Sequence, residues 1–112
     1  DLLFCRDCLF HLSYKDILLI LNNFLGSSIP YLMTTSSAAP HGPRIENSDI
    51  ATSDWRLIDF FTEPFCLRQC DVLESISDEM VSVKAERSLI LLDRVTVQGI
   101  SENLTINIGS TR

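Results

Sequence analysis

The sequence predicts an α/β fold, with a parallel strand, helix and strand unit at its start and an antiparallel strand pair near its end. Three observations carry this. A continuous apolar run over residues 1–6 is followed by a helical apolar stripe, and the stripe by a second apolar run over 29–35. Two further β-rich runs, 71–76 and 88–97, lie close together beyond a long segment of turn-forming residues. A strand, helix and strand in so few residues form a crossover unit, which is nearly always right-handed and makes its strands parallel.

Residues 1–6, DLLFCR, have the continuous apolar character of a strand buried in a parallel sheet, although a run this short fits a helix equally well. The helix start just beyond it decides the matter. Ser13 with Asp16 three residues later is a capping-box-like start: a hydroxyl that accepts from first-turn amides, and a carboxylate near the positive helix end. The helix therefore begins at about Tyr14. Ile17, Ile20, Leu21, Phe24 and Leu25 make one wide stripe, and Gly26 stands where a left-handed residue closes a helix. Pro30 is tolerable at the first position of the second strand.

Residues 36–53 are rich in Ser, Ala, Pro and Asn with little periodicity, and structureless segments of that length are usually functional or mobile. This substrate-side loop, 36–65 in all, closes on Asp54, Trp55 and Arg56. Phe60, Phe61, Pro64 and Phe65 then form an aromatic cluster expected to dock the loop on the sheet. The charged segment 77–87 is either a short helix or a hairpin connection; a hairpin makes the last two strands antiparallel, as is common at the margin of a parallel sheet. From Gln98 onward Leu104, Ile106 and Ile108 alternate, so 98–112 is expected as a tail or edge strand beyond a main unit of 1–97.

Composition sets the outer limits. A chain of 112 residues holds one domain, and 46% hydrophobic with 21% charged residues belongs to a globular protein. The net charge is -6 with no Lys/Arg cluster, which argues against nucleic acid, whose affinity comes from several cations on one face. The longest apolar stretch, 17–25, is broken by Asn22 and Asn23 and is short of the ~20 residues of a bilayer span. A basic leader with a small-residue cleavage site is not visible, so a cytoplasmic location is expected. The first residue, Asp1, falls at once into an apolar run, as if a preceding segment were absent or removed.

The order DLLFCRDCLFHLS, amphipathic helix, YLMTTSS, long loop, NSDIATSDWRLIDF and SLILLDRV resembles the C-terminal half of a Rossmann-like (class I) S-adenosylmethionine-dependent methyltransferase. The resemblance covers about residues 1–95, with the first segment similar to the fourth strand of that fold. It implies a partial Rossmann-like sheet. It also implies that S-adenosyl-L-methionine lies on the other half, held by a glycine-rich turn after the first strand and an acidic residue after the second. This sequence has neither: Gly26, Gly42, Gly99 and Gly109 are scattered and form no G-x-G. The isolated chain is therefore expected to be inactive and not to bind the cofactor tightly. Members of that family carry Gly before the Asp-Trp-Arg triplet and Pro after it, where this chain has Ser53 and Leu57.

The resemblance places Cys5 and Arg6 on the cofactor side of the site, at the carboxyl end of the first strand where open α/β sheets bind ligands. Asp7 and His11 become the catalytic candidates, Asp7 orienting an acceptor or accepting its proton and His11 serving as a base, since the reference pKa of histidine is near neutrality. Asp54, Trp55 and Arg56 become the acceptor-binding element, an indole face with a guanidinium for a carboxylate or phosphate. The plainer alternatives are an Arg6–Asp7 pair in a solvated turn, a His11 packed before the helix, and a buried Trp55 with Arg56 paired to Asp54 or Asp59. His41 is expected to be exposed and inert.

Cys5-x-x-Cys8 and Cys66-x3-Cys70 have the residue types of a zinc site. Their placement disfavours one, since the first pair starts within a strand and the second lies behind a long loop. No metal and no disulfide is expected, and buried free thiols are. Asn103-Leu104-Thr105 matches a glycosylation sequon of the kind that arises by chance. A rival to the enzyme reading is a non-catalytic remnant or interaction module, which pairs through an exposed sheet edge with a second copy or a separate N-terminal half. The methyl acceptor is not named by any residue pattern.

Overall fold

The structure, a computed structural model, describes residues 1–39, 44–78 and 86–110. Among them are four strands and two helices: β1 (Leu2–Cys5), α1 (Tyr14–Gly26), β2 (Tyr31–Ala38), β3 (Glu74–Ser77), β4 (Glu86–Asp93) and α2 (Arg94–Ser110). Single 3-10 turns stand at Leu9–His11 and Gln69–Asp71. The strands form one mixed sheet in the order β1-β2-β4-β3. β1 runs parallel to β2, with Leu3 opposite Leu32 and Cys5 opposite Thr34, whereas β4 is antiparallel to both β2 and β3. The predicted parallel unit and the antiparallel terminal pair are both present, with β4 inserted beside β2. The charged segment between β3 and β4 lies mostly outside the described residues.

α1 starts as its cap predicts. The Asp16 amide donates to Ser13 Oγ at 3.1 Å, and the Tyr14 amide to Asp49 Oδ1 at 2.8 Å, so the loop satisfies a second first-turn donor. Its other end departs from expectation. Gly26 is the last helical residue and has no positive φ; Ser27, extended at φ -92°, follows it. Closure comes instead from a distant cation. Arg94 donates to the carbonyls of Phe24, Ser27 and Ile29 at 2.9–3.2 Å and also to that of Leu25. A guanidinium at the negative end of the helix satisfies the carbonyls that a left-handed glycine would otherwise serve.

The C-terminal residues are helix, not the tail or edge strand expected over 98–112. α2 begins at Arg94, with Asp93 accepting from the Thr96 amide at 2.9 Å, so β4 also ends four residues before the predicted Val97. Val97, Ile100 and Leu104 are buried at i, i+3 and i+7, while Ile106 is exposed. The boundary placed at residue 97 thus falls inside a helix.

α1 and α2 cover one face of the sheet. Ile17, Leu21, Phe24, Val97, Ile100 and Leu104 share a core with Cys5, Leu32, Ile90 and Leu92, which alternate along the strands. The other face is open in part: Leu2, Phe4, Tyr31 and Ile76 are each 43–54% exposed, whereas Thr35 and Ser37 further along β2 are buried. The loop docks as predicted, with Phe60 and Phe65 buried and Phe65 set edge-on to Tyr14 at 5.6 Å. Asn47 closes it, donating to Asp59 O, Thr62 Oγ1 and Glu63 O and accepting from the Asp59 amide, all within 3.0 Å.

Candidate functional site

The site is built where β1 ends. Asp7 takes a left-handed φ of 54°, its amide donates to Thr35 Oγ1 at 2.9 Å, and its carboxylate pairs with Arg87 of β4. Arg6 forks onto Asp78, just past β3, with bonds of 3.0 and 2.9 Å. Arg6 and Asp7 therefore do not pair with each other. Each reaches across the end of the sheet to the β3–β4 side. Asp78 holds the Arg6 guanidinium above its ordinary range, and Arg6 in turn holds the Asp78 carboxyl below the usual carboxylate range.

The 3-10 turn after β1 then presents His11. Its backbone pairs with the loop: the Ser53 amide donates to His11 O at 2.9 Å and the Arg56 amide to Phe10 O at 3.2 Å. His11 Nδ1 lies 3.2 Å from the carbonyl of Asp54. A carbonyl only accepts, so Nδ1 is the donor in that bond. Ser53 sits at φ 89°, a left-handed conformation that favours glycine.

Asp54 and Trp55 are thus brought beside His11, and both are exposed, Trp55 at 60%. Arg56 is not part of that surface. It turns inward and donates from Nη1 to Leu9 O and Phe10 O at 3.1 Å each, and from Nε to Ser48 O at 2.9 Å. Its guanidinium lies 5.4 Å from the centroid of the Tyr14 ring. Burial lowers the Arg56 pKa, opposed by Tyr14 and Asp49. Bonded to three carbonyls, this guanidinium is directed away from any acceptor and from both Asp54 and Asp59.

Cys5 lies in the core, and burial, reinforced by Cys8, pushes its thiol up. Only backbone at Cys5 borders the site, with Thr34 Oγ1 donating to its carbonyl at 3.1 Å. The other three cysteines are free and exposed, so the expectation of buried thiols describes Cys5 alone. Among the described residues no group of three or more His, Cys, Asp or Glu could hold a metal ion. No helix among them is long and apolar enough to cross a membrane. His41 lies outside the described residues. A cleft of about 550 Å³ between Tyr14, Asp49, Glu63 and Pro64 contains none of the sequence-predicted site residues.

Sequence reasoning missed Arg87 and Asp78, which hold Asp7 and Arg6. The available signal was a basic residue opening one β-rich run and an acidic one closing another. The assembled surface offers an exposed imidazole, an exposed carboxylate and an exposed indole, at the carboxyl end of a parallel strand pair. No protein-family model matches the chain, and no curated protein or solved structure is significantly similar to it.

Proposed function

We propose that this chain is the second half of a Rossmann-like, S-adenosylmethionine-dependent methyltransferase sheet and is inactive by itself. The observation that carries the reading is the open parallel edge. β1 and β2 are a parallel pair at the edge of a mixed sheet, and all-parallel sheets, of which such a pair would be the margin, are almost always covered on both faces. Here helices cover one face only, and Leu2 and Phe4 of the edge strand remain about half exposed. A missing strand layer beside β1, with its helices, would cover both edge and face. That layer, from the same polypeptide or a second chain, would bring the glycine-rich turn that these residues lack and with it S-adenosyl-L-methionine.

In this reading Cys5, through its backbone, and Arg6 border the cofactor at the end of β1, and His11 Nε2 accepts the acceptor's proton. Asp7 positions rather than accepts, because its carboxylate is committed to Arg87. Methyl transfer asks mainly for in-line alignment of nucleophile and sulfonium methyl, and a rigid turn before α1 supplies a fixed frame for one of them. Three exposed free thiols suit the reducing cytoplasm.

The decisive experiment pairs titration with sequencing. S-adenosylmethionine added to the 112-residue chain should give no saturable heat, and the coding sequence 5′ of the Asp1 codon should encode a strand followed by a glycine-rich turn. Low-micromolar binding by the chain alone refutes the reading. The same open edge favours a second reading, a non-catalytic module that pairs through β1 with another copy. A stable homodimer by light scattering, together with a stop codon directly upstream, decides for that one.

A further inference from the structure

We propose that the cleft between the start of α1 and the docked loop binds a small zwitterion, a free α-amino acid with an apolar side chain. The site stands apart from the methyl-transfer reading and uses none of its residues. The cleft holds about 550 Å³, and Tyr14, Lys15, Asp49, Glu63, Pro64 and Ile108 all line it. Ligand sites span roughly 300–1,000 Å³.

Tyr14 is the residue that calls for a ligand. Its side chain is only 6% exposed, and its ring sits edge-on to Phe65 at 5.6 Å with the Arg56 guanidinium 5.4 Å from its centroid. Phenylalanine would make both contacts. The Tyr14 hydroxyl adds no hydrogen bond among the described residues, and it is not one of their fully enclosed orphan atoms, so it opens onto the cleft that the residue lines. A polar group this deep costs stability unless something outside the fold supplies its partner. Burial, opposed by Arg56 and reinforced by Asp49, pushes the phenol up, so the group stays an O–H donor.

Charges of both signs are fixed around that hydroxyl. Asp49 Oδ1 accepts from the Tyr14 amide at 2.8 Å and the Ile50 amide at 2.9 Å, which sets the carboxylate beside Tyr14 and leaves Oδ2 uncommitted among the described residues. Glu63 is tied to the same loop segment, because Asn47 Nδ2 donates to its carbonyl at 2.8 Å. Lys15 follows Tyr14 on the first turn of α1, and neither Lys15 nor Glu63 makes an ion pair among the described residues. A purely anionic ligand would meet Asp49 and Glu63, and a purely cationic one would meet Lys15. A ligand with both charges satisfies each group: its ammonium turns to the two carboxylates, its carboxylate to Lys15 and the Tyr14 hydroxyl, and its side chain to Pro64 and Ile108. Asn47 and Asp49 fasten the walls to one another, so the groups are in place before a ligand arrives.

L-Leucine titrated into the full chain should shift the methyl signals of Ile108 saturably, with half-saturation below about 20 mM. Leucinamide keeps only the cation and N-acetyl-L-leucine only the anion, and each should bind at least about fivefold more weakly. Tyr14→Phe should melt within about 2 °C of the parent, since the fold loses no hydrogen bond, and should weaken L-leucine about fivefold or more. Lys15→Gln, at an exposed position, should abolish the preference for L-leucine over leucinamide. Absence of saturation, or a capped form that binds as well as L-leucine, overturns the inference on the parent chain alone, whatever the variants do. So does a Tyr14→Phe chain that binds L-leucine unchanged, or one that melts well below the parent, because its hydroxyl would then already serve the fold.

Discussion

Replacing Arg56 with Met should destabilise the fold by about 3 kcal/mol, and the size of that loss discriminates two roles for the residue. The guanidinium donates to Ser48 O, Leu9 O and Phe10 O and stacks on Tyr14. Methionine keeps the apolar stem but removes the charged donor from all three carbonyls; Leu9 O keeps the Leu12 amide and Phe10 O the Arg56 amide. A hydrogen bond to a charged group is worth about 1.5–3 kcal/mol, and the three are not additive. Against this, the variant no longer has to desolvate a cation, which returns part of the loss. Urea unfolding at neutral pH measures the balance: with a slope near 1.2 kcal/mol per molar, the midpoint should fall by about 2.5 M. Arg56→Lys should recover a minor part, because a single ammonium cannot span the three carbonyls in a fork. A loss under about 0.5 kcal/mol in Arg56→Met would refute the reasoning and return Arg56 to the acceptor surface.

Four further outcomes are expected. Ser53→Gly should stabilise by up to about 1 kcal/mol in the same urea assay, since glycine occupies φ 89° freely and only part of that gain is offset by unfolded-chain entropy; destabilisation would mean the serine side chain has a role of its own. Arg94→Leu should cost about 2 kcal/mol and release hydrogen-exchange protection in the last turn of α1 before the rest of the helix. At pH 8 iodoacetamide should label Cys8, Cys66 and Cys70 at least about tenfold faster than Cys5, whose thiol is buried and raised, as peptide mapping would show. Asp78 is depressed by Arg6, so its stabilising contribution is present above the ordinary carboxylate pKa and lost as pH falls through the lower folded value. Melting curves of Asp78→Asn should therefore converge on those of the parent as the pH falls through that lowered value.

What could be read from the sequence was local. Ser13 and Asp16 are three residues apart, and the stripe from Ile17 to Leu25 repeats with the helical period, so α1 emerged from neighbours alone. The parallel pairing of β1 and β2 then came from the crossover rule. Arg6 and Asp7 find partners 72 and 80 residues away, beyond the reach of any local pattern. The alternation of Leu104, Ile106 and Ile108 imitates a strand, while the true repeat of Val97, Ile100 and Leu104 runs across the boundary set at residue 97 and was divided by it. Trp55 and Arg56 are adjacent in sequence yet separate to surface and interior. Only the carbonyls of Leu9 and Phe10, brought close by the 3-10 turn, decide which way the guanidinium goes.

These contacts give the two regions different standing. His11 and residues 53–56 are tied by backbone bonds, and the turn that carries them is fastened to β4 through the Asp7–Arg87 pair and to the end of β3 through Arg6–Asp78. None of those ties requires a neighbour at β1. The β1 edge is the reverse: among the described residues it is unpaired, and the exposed Leu2, Phe4, Tyr31 and Ile76 gain only when something covers them. A complementary half that binds this folded surface and not the unfolded chain must therefore raise its stability by mass action while leaving the frame around His11 unmoved. The melting temperature should thus rise with the concentration of the partner half, and the signals of His11 should stay where they are.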